Sequence, residues 1–214
     1  MKIFDITLPI TNDLPVWPGD TPIDIQQTSR IGDGDNTNVS KIQFSVHSGT
    51  HIDAPFHFIE SGISIDKIPV SKLIGKVYVI EIDNSINLIT AEVLKAHPTR
   101  QKWEITKKIL FKTRNSSNWK LSTNEFQRDY VGIDTSAAEY LTDFNFDLIG
   151  IDYLSIAAFD DTIKPHQILL GEECVLLEGV NLENIKQGFY EIYCLPMLIH
   201  GSDGAPARAI LIQL

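Results

Sequence analysis

Val46-His47-Ser48-Gly49-Thr50-His51-Ile52-Asp53-Ala54-Pro55-Phe56-His57-Phe58 carries three of the chain's six histidines and an aspartate. No other stretch concentrates chemistry in this way. His47, His51, Asp53 and His57 all fall at odd positions, so an extended chain carries them on one side. Val46, Gly49, Thr50 and Pro55 disfavour a helix, although His47 and His51 stand four apart. Imidazole and carboxylate are the ligands that zinc and its borderline neighbours prefer. Six residues of straight strand cover roughly 20 Å, whereas ligands sit about 2 Å from a metal. The segment must therefore bend at Gly49 and again near Pro55, where glycine and proline permit it.

The segment is not the helical His-Glu-x-x-His arrangement of metalloproteases, because Ser48 occupies the glutamate's place. A general base has to come from elsewhere. His57 is a candidate, since it lies past Pro55 and an unliganded imidazole titrates near neutrality.

Outward from this segment, the 214 residues are ordinary for one domain, 1–214, able to bury a substantial core. A hydrophobic fraction of 43% and a charged fraction of 21% fit a globular protein. The formal net charge of -10 argues against nucleic acid or an anionic membrane as partner. Cys174 and Cys194 are the only cysteines and read as free thiols of a reducing compartment. Asp5 stands where a signal peptide would need its apolar core, and no apolar run approaches the ~20 residues of a membrane span. The expectation is a cytoplasmic protein.

Short apolar runs at 41–46, 76–82, 108–112, 147–151, 174–177, 189–195 and 207–214 read as strands. Helices are expected at 90–96, 136–142 and 165–173, opened by Thr90, by Thr135 with Glu139 nearby, and by Pro165 as first helical residue. Many strands interleaved with few short helices indicate an α/β fold with a mixed sheet.

A metal site needs further ligands. His97 stands at a helix end before Pro98 and reads as a capping or surface residue, while His200 in a Gly-rich turn is ambiguous. His166 begins a short helix of about 12 Å, and the strand that follows returns over roughly 13 Å. That excursion brings Glu178 back near His166, with Gly179 permitting a turn. A carboxylate at the end of a buried strand needs a partner, and a metal is one; otherwise Glu178 is a surface glutamate.

His47-Ser48-Gly49-Thr50-His51-Ile52-Asp53-Ala54-Pro55-Phe56-His57 resembles the His-x-Gly-Thr-His-x-Asp-x-Pro-x-His signature of the cyclase-like metal hydrolases, a family that includes bacterial kynurenine formamidases. Trp17-Pro18-Gly19-Asp20, Leu177-Glu178-Gly179 with His166, and Asp203-Gly204-Ala205-Pro206-Ala207-Arg208 extend the resemblance along nearly the whole chain. It implies a three-layer β/β/α fold of the swivelling-domain type with a barrel-like core of mixed sheets, in a homodimer or homotetramer. It also implies two divalent metal ions, usually Zn2+ with Mn2+ tolerated. His47, His51 and Asp53 would hold one, Asp53 and Glu178 would be shared, and His166 would hold the second. His57 would be the general acid/base, and Trp17 would line the pocket for an aromatic small-molecule substrate.

The implied reaction is hydrolysis of an aryl formamide. The alternatives are a related hydrolase of another amide, ester, lactone or cyclic amide, and a non-catalytic metal-binding protein, which would need neither His57 nor Trp17. Tyr153-Leu154-Ser155-Ile156 departs from the Thr/Ala-Pro-Ser that formamidases tend to carry after the 147–152 strand, and the region 114–128, with Asn118 and Trp119, has no match in the family pattern. Tyr153 and Trp119 are expected to pack, and Asp152 and Ser155 to be structural.

Overall fold

Alternate residues of the central strands point into two different cores. Val77 and Val79 face one while Tyr78 and Ile80 face the other; Leu110 divides from Ile109 and Phe111, and Leu177 from Leu176, in the same way. Continuous apolar runs of this kind belong to strands covered on both faces. The computed structural model describes residues 1–103, 105–120 and 125–213, the side chains of Asn118 and Lys120 excepted. Leu214, the expected end of the last strand, lies outside the described residues, as does the Asn118 side chain.

In chain order the elements are β1 (Lys2–Asp5), β2 (Asp24–Ser29), β3 (Val39–Gln43), β4 (His51–Asp53), α1 (Val70–Leu73), β5 (Ile74–Glu81), β6 (Leu88–Ile89), α2 (Ala91–Ala96), β7 (Lys108–Lys112), β8 (Gly132–Ile133), α3 (Thr135–Thr142), β9 (Leu148–Ile151), α4 (Ile163–Gly171), β10 (Val175–Glu178), β11 (Gly188–Pro196) and β12 (Gly204–Gln213). The main sheet runs β1-β12-β11-β5-β7-β9-β10-β4, and β4 pairs back onto β12. That last pairing closes a seven-strand ring, with β1 added beside β12. The steps β5–β7, β7–β9 and β9–β10 are parallel, and the remaining steps are antiparallel. The α/β, three-layer architecture with a barrel-like mixed sheet is the one expected.

The inner core is aliphatic, from Ile52, Val77, Leu110, Leu177 and Leu211 among others. Gly150 faces inward on β9, where a Cβ would come within 2.5 Å of the Leu110 side chain. The glycine lets the wall draw in. Leu94 of α2, Leu141 of α3 and Leu169 of α4 cover the outer face with Phe111 and Ile149. No helix among the described residues is long and apolar enough to cross a membrane.

Several local expectations are corrected. The strand expected at 41–46 is shifted: β3 spans Val39–Gln43 and pairs with β2 in a two-stranded ribbon apart from the barrel. Asp134, not Thr135, caps α3, its carboxylate accepting from the Ala137 amide at 2.8 Å. Asp134 is extended, as an N-cap residue is, so its carboxylate reaches the amide three residues on, while Thr135 is already helical. Helix α4 starts at Ile163, so Pro165 is its third residue. It still lies in the first turn, where a missing N–H costs nothing. The helix ends at Gly171 because Glu173 takes a left-handed φ of 57°.

Candidate metal and substrate site

Register brings the site together. In the antiparallel β4–β10 pair, His51 lies opposite Glu178. His51 and Asp53 share one face of β4, while Ile52 between them points into the barrel. Leu177 likewise points inward, so Glu178 emerges on the outer side, toward α4 and His166. The chain bends where expected: Gly49 has φ 63° just before β4, and Pro55 opens a single 3-10 turn that presents His57.

Two left-handed glycines lock the halves of the site. Gly179, φ 67°, lies so close to Gly49 that a Cβ on it would overlap the Gly49 carbonyl. Thr50 fastens the same junction: its hydroxyl donates to the Gly179 carbonyl at 2.5 Å and accepts from the Leu8 amide at 2.8 Å. Gly204 on β12 leaves room for the His47 ring, whose Cε1 would stand 2.7 Å from a Cβ there.

His51 Nδ1 donates to the Gly49 carbonyl at 3.0 Å, and His166 Nδ1 to the Thr162 carbonyl at 2.5 Å. A carbonyl only accepts, so each ring carries its proton on Nδ1 and turns Nε2 toward the carboxylates. His51 Nε2 is 3.3 Å from Glu178 and 3.4 Å from Asp53; His166 Nε2 is 3.3 Å from Glu178 and 3.9 Å from Asp53. Glu178 Oε1, the oxygen that faces His166, is also held by the Ile156 amide, which donates at 2.6 Å, while Oε2 faces His51. His51, Asp53, His166 and Glu178 are all buried.

His47 is bracketed by acids. Nδ1 meets Asp53 and Nε2 meets Asp203, both at 2.8 Å. Burial opposes charge on this ring, but the Asp53 charge and the two hydrogen bonds outweigh it and raise its pKa to about 9. His51 behaves similarly: burial is outweighed by Asp53 and Glu178, and its pKa rises to about 10. His166 is also raised, by Glu178 and Asp53 against burial. His57 is the exception. Burial lowers its pKa, and the positive neighbours His47 and His166 add to the shift while Asp53 and Glu178 oppose it. Its ring stacks on His47 with centroids 3.9 Å apart.

Among the described residues, two sets bring one donor atom from each residue within 4.8 Å of the others: His47, Asp53 and His57; and His51, Asp53 and Glu178. Asp53 belongs to both. The donor chemistry fits a divalent cation: two imidazoles held by backbone carbonyls aim Nε2 at two buried carboxylates. Such second-sphere anchoring is what metal-binding histidines show. With the histidines neutral, as metal ligands are, a cation between the two buried acids would compensate their charge in place of the imidazolium groups.

All seven site residues expected from the sequence line one cavity of about 220 Å3, together with Asp20, Phe58, Leu154, Ser155 and Thr162. Benzene fits in roughly 150 Å3, so the space suits a single substituted ring. Trp17 forms one wall, braced by Phe126 at 5.0 Å and Phe159 at 5.4 Å between centroids. Phe58 stacks on His166 at 4.5 Å. Tyr153 and Trp119 pack on each other at 5.5 Å and lie outside the cavity. Ser155 belongs to the cavity wall, which the sequence alone left as structure.

Neither remaining histidine enters the cavity. His97 is the C-cap of α2, its amide donating to the Leu94 carbonyl and its Nε2 to the Glu81 carbonyl of β5, and His200 is exposed and paired with Asp66 at 2.9 Å. Asp203 is the residue whose contact with the site the sequence did not assign. Its carboxylate stands 2.8 Å from His47 and 3.2 Å from His57. Only the β4–β12 pairing, which sets Gly204 opposite Asp53, brings it there.

Comparison with known proteins agrees with this construction. Cyclase-like protein 3 of Oryza sativa subsp. japonica is 34% identical over 99% of this chain and 80% of its own. Kynurenine formamidase of Bacillus anthracis is 32% identical over 98% of this chain and 97% of its own. A solved structure described as a predicted metal-dependent hydrolase from Bacillus stearothermophilus superposes with a TM-score of 0.80 at 28% identity, covering 98% of this chain and 97% of that one. Residues 4–158 match the family described as "Putative cyclase". The chain belongs to that Cyclase family.

Proposed function

We propose that this protein is a metal-dependent hydrolase that cleaves an aryl formamide, with N-formylkynurenine, giving formate and kynurenine, as its substrate. The observation that carries the reading is the His57 imidazole, its pKa lowered by burial, beside a five-residue donor set in a cavity walled by Trp17. His47, His51 and Asp53 would hold one divalent ion, and His166 a second, with Asp53 and Glu178 shared. Zinc suits this mixture of imidazole and carboxylate, and manganese tolerates it. Bound there, the ions would supply Lewis acidity and would lower the pKa of water toward neutrality.

The protein's own residues do the rest. Trp17 holds the aryl ring and excludes water from its face. His57, uncharged, accepts a proton from the attacking water and delivers it to the departing aryl nitrogen. The Asp203 carboxylate, 3.2 Å from His57 Nδ1, keeps the ring aimed by charge. Water and the formamide are consumed, and formate and the arylamine leave, with one proton released at neutral pH.

Leu154 and Ser155 favour keeping a second reading. Both line the cavity at the place where the sequence departs from the formamidase pattern. The related activity is hydrolysis of another amide, ester, lactone or cyclic amide such as isatin. Elemental analysis of the purified protein alongside an assay panel tests both readings. N-formylkynurenine turnover that is lost to a chelator and restored by Zn2+ or Mn2+ supports the first. Bound metal with turnover of isatin or a lactone only rejects that substrate and retains the class. Full turnover of metal-free protein rejects both.

A further inference from the structure

Asp20 is a cavity-lining carboxylate without a role in the chemistry above. The four residues 17–20 form a turn in which the Asp20 amide donates to the Trp17 carbonyl at 3.0 Å. Pro18 and a positive φ of 99° at Gly19 are the features of a type II turn. Trp17 and Asp20 are thus the two ends of one rigid turn, and both line the site.

Every other acid in the cavity is engaged: Asp53 with His47, and Glu178 with His51, His166 and the Ile156 amide. Asp20 is half-buried, and among the described residues its carboxylate has no hydrogen-bond or ion-pair partner. A carboxylate only accepts, and one set into a partly dry wall is satisfied best by a cationic donor. No lysine or arginine lines the cavity among the described residues. The positive groups of the site, His47 and His51, face Asp53, Glu178 and Asp203 and not Asp20, so a positive charge carried by the substrate would be a fitting partner for it.

We propose that Asp20 is the specificity-determining residue of this site, binding a primary ammonium group on a substrate whose aromatic ring lies against Trp17. This rests on the hydrolase reading and narrows it to N-acyl arylamines that carry an amine-bearing side chain. Simple aryl formamides have the ring but not the ammonium, and purely anionic ones would meet Asp20 with like charge. The aromatic face of Trp17 adds attraction for the same cation.

The test compares N-formylkynurenine with its deamino analogue, identical except that hydrogen replaces the ammonium, on the metal-loaded enzyme. A charge-assisted hydrogen bond corresponds to a preference of about tenfold or more in kcat/KM for the amine-bearing compound. In Asp20→Asn that ratio is expected to fall toward one, and in Asp20→Glu, which retains the charge, the preference persists. A wild-type ratio near one overturns the proposal without need of any variant. So does an Asp20→Asn ratio equal to that of wild type. Hydrolysis of neither compound by the metal-loaded wild type overturns the formamidase reading, and this inference falls with it.

Discussion

Asp203 Oδ2 stands 3.2 Å from His57 Nδ1, and the same oxygen stands 2.8 Å from His47 Nε2. One carboxylate therefore anchors the proposed proton carrier and the ring stacked on it. The His47 hydrogen bond, helped by the His47 charge and opposed by burial, lowers the Asp203 pKa to about 2. It is an anion throughout the neutral range. Asp203→Asn would keep the shape but remove the charge that faces His57. The expected loss is about ten- to a hundredfold in kcat with KM little changed, and Asp203→Glu should recover part of it. A rise in KM alone would mean that Asp203 acts on substrate binding instead.

His57→Ala separates proton transfer from metal holding. His57 can approach the His47 and Asp53 donors, yet its own pKa is lowered whereas those of His47, His51 and His166 are raised. The variant should retain its bound metal, measured by elemental analysis, and lose about a hundred- to ten-thousandfold in turnover. Metal loss in parallel with activity would make His57 a ligand.

The contrast between β10 and β12 shows which parts of this architecture are legible in the sequence. Strand β10 is announced by Val175, Leu176 and Leu177, a β-branched and apolar run, and distance arithmetic alone then returns Glu178 toward His166. Strand β12 begins with Gly204-Ala205-Pro206, residues that argue against a strand until β4 is known to lie beside them. β4 itself is three residues of mixed polarity, too short to show a period. Asp203 depends on both and so is visible only in three dimensions. The bend at Gly49 was readable because four ligand-type side chains had to converge and only glycine stood where the chain could turn. The β2–β3 ribbon misleads for a related reason. Its residues 41–43 have strand propensity, yet the ribbon is exposed throughout β3 and joins no barrel strand.

Gly179→Ala tests the glycine contact that joins the two ligand-bearing segments. The substitution combines a left-handed backbone with a collision against the Gly49 carbonyl, and neither main chain can move without shifting Glu178 or His51. A cost of about 2–4 kcal/mol follows, or roughly 5–15 °C in the thermal midpoint for a chain of this size. Metal affinity should fall along with it. An unchanged midpoint would show that the junction yields more easily than its packing implies. Gly171→Ala, where no atom lies within 4 Å of the added Cβ, is the matched control and should leave stability nearly unaltered.

Asp152 gives the fold a pH dependence separate from the metal cluster. It is completely buried and accepts from the Thr113 amide and hydroxyl and from the Ser116 amide and hydroxyl, at 2.7–3.1 Å. Burial dominates those four donors and raises its pKa from 3.8 to about 6. The native state thus holds this proton at a pH where the unfolded chain has released it. Stability from this group is complete below about pH 4, declines as pH rises to about 6, and is level above that. The shift corresponds to a change on the order of 3 kcal/mol. Asp152→Asn should be destabilised at every pH, because its amide nitrogen faces donors, but should lack this fall between pH 4 and 6. Denaturant midpoints for both proteins across that interval, with metal removed, measure the difference. Parallel curves would mean that the four donors already offset the burial of the charge.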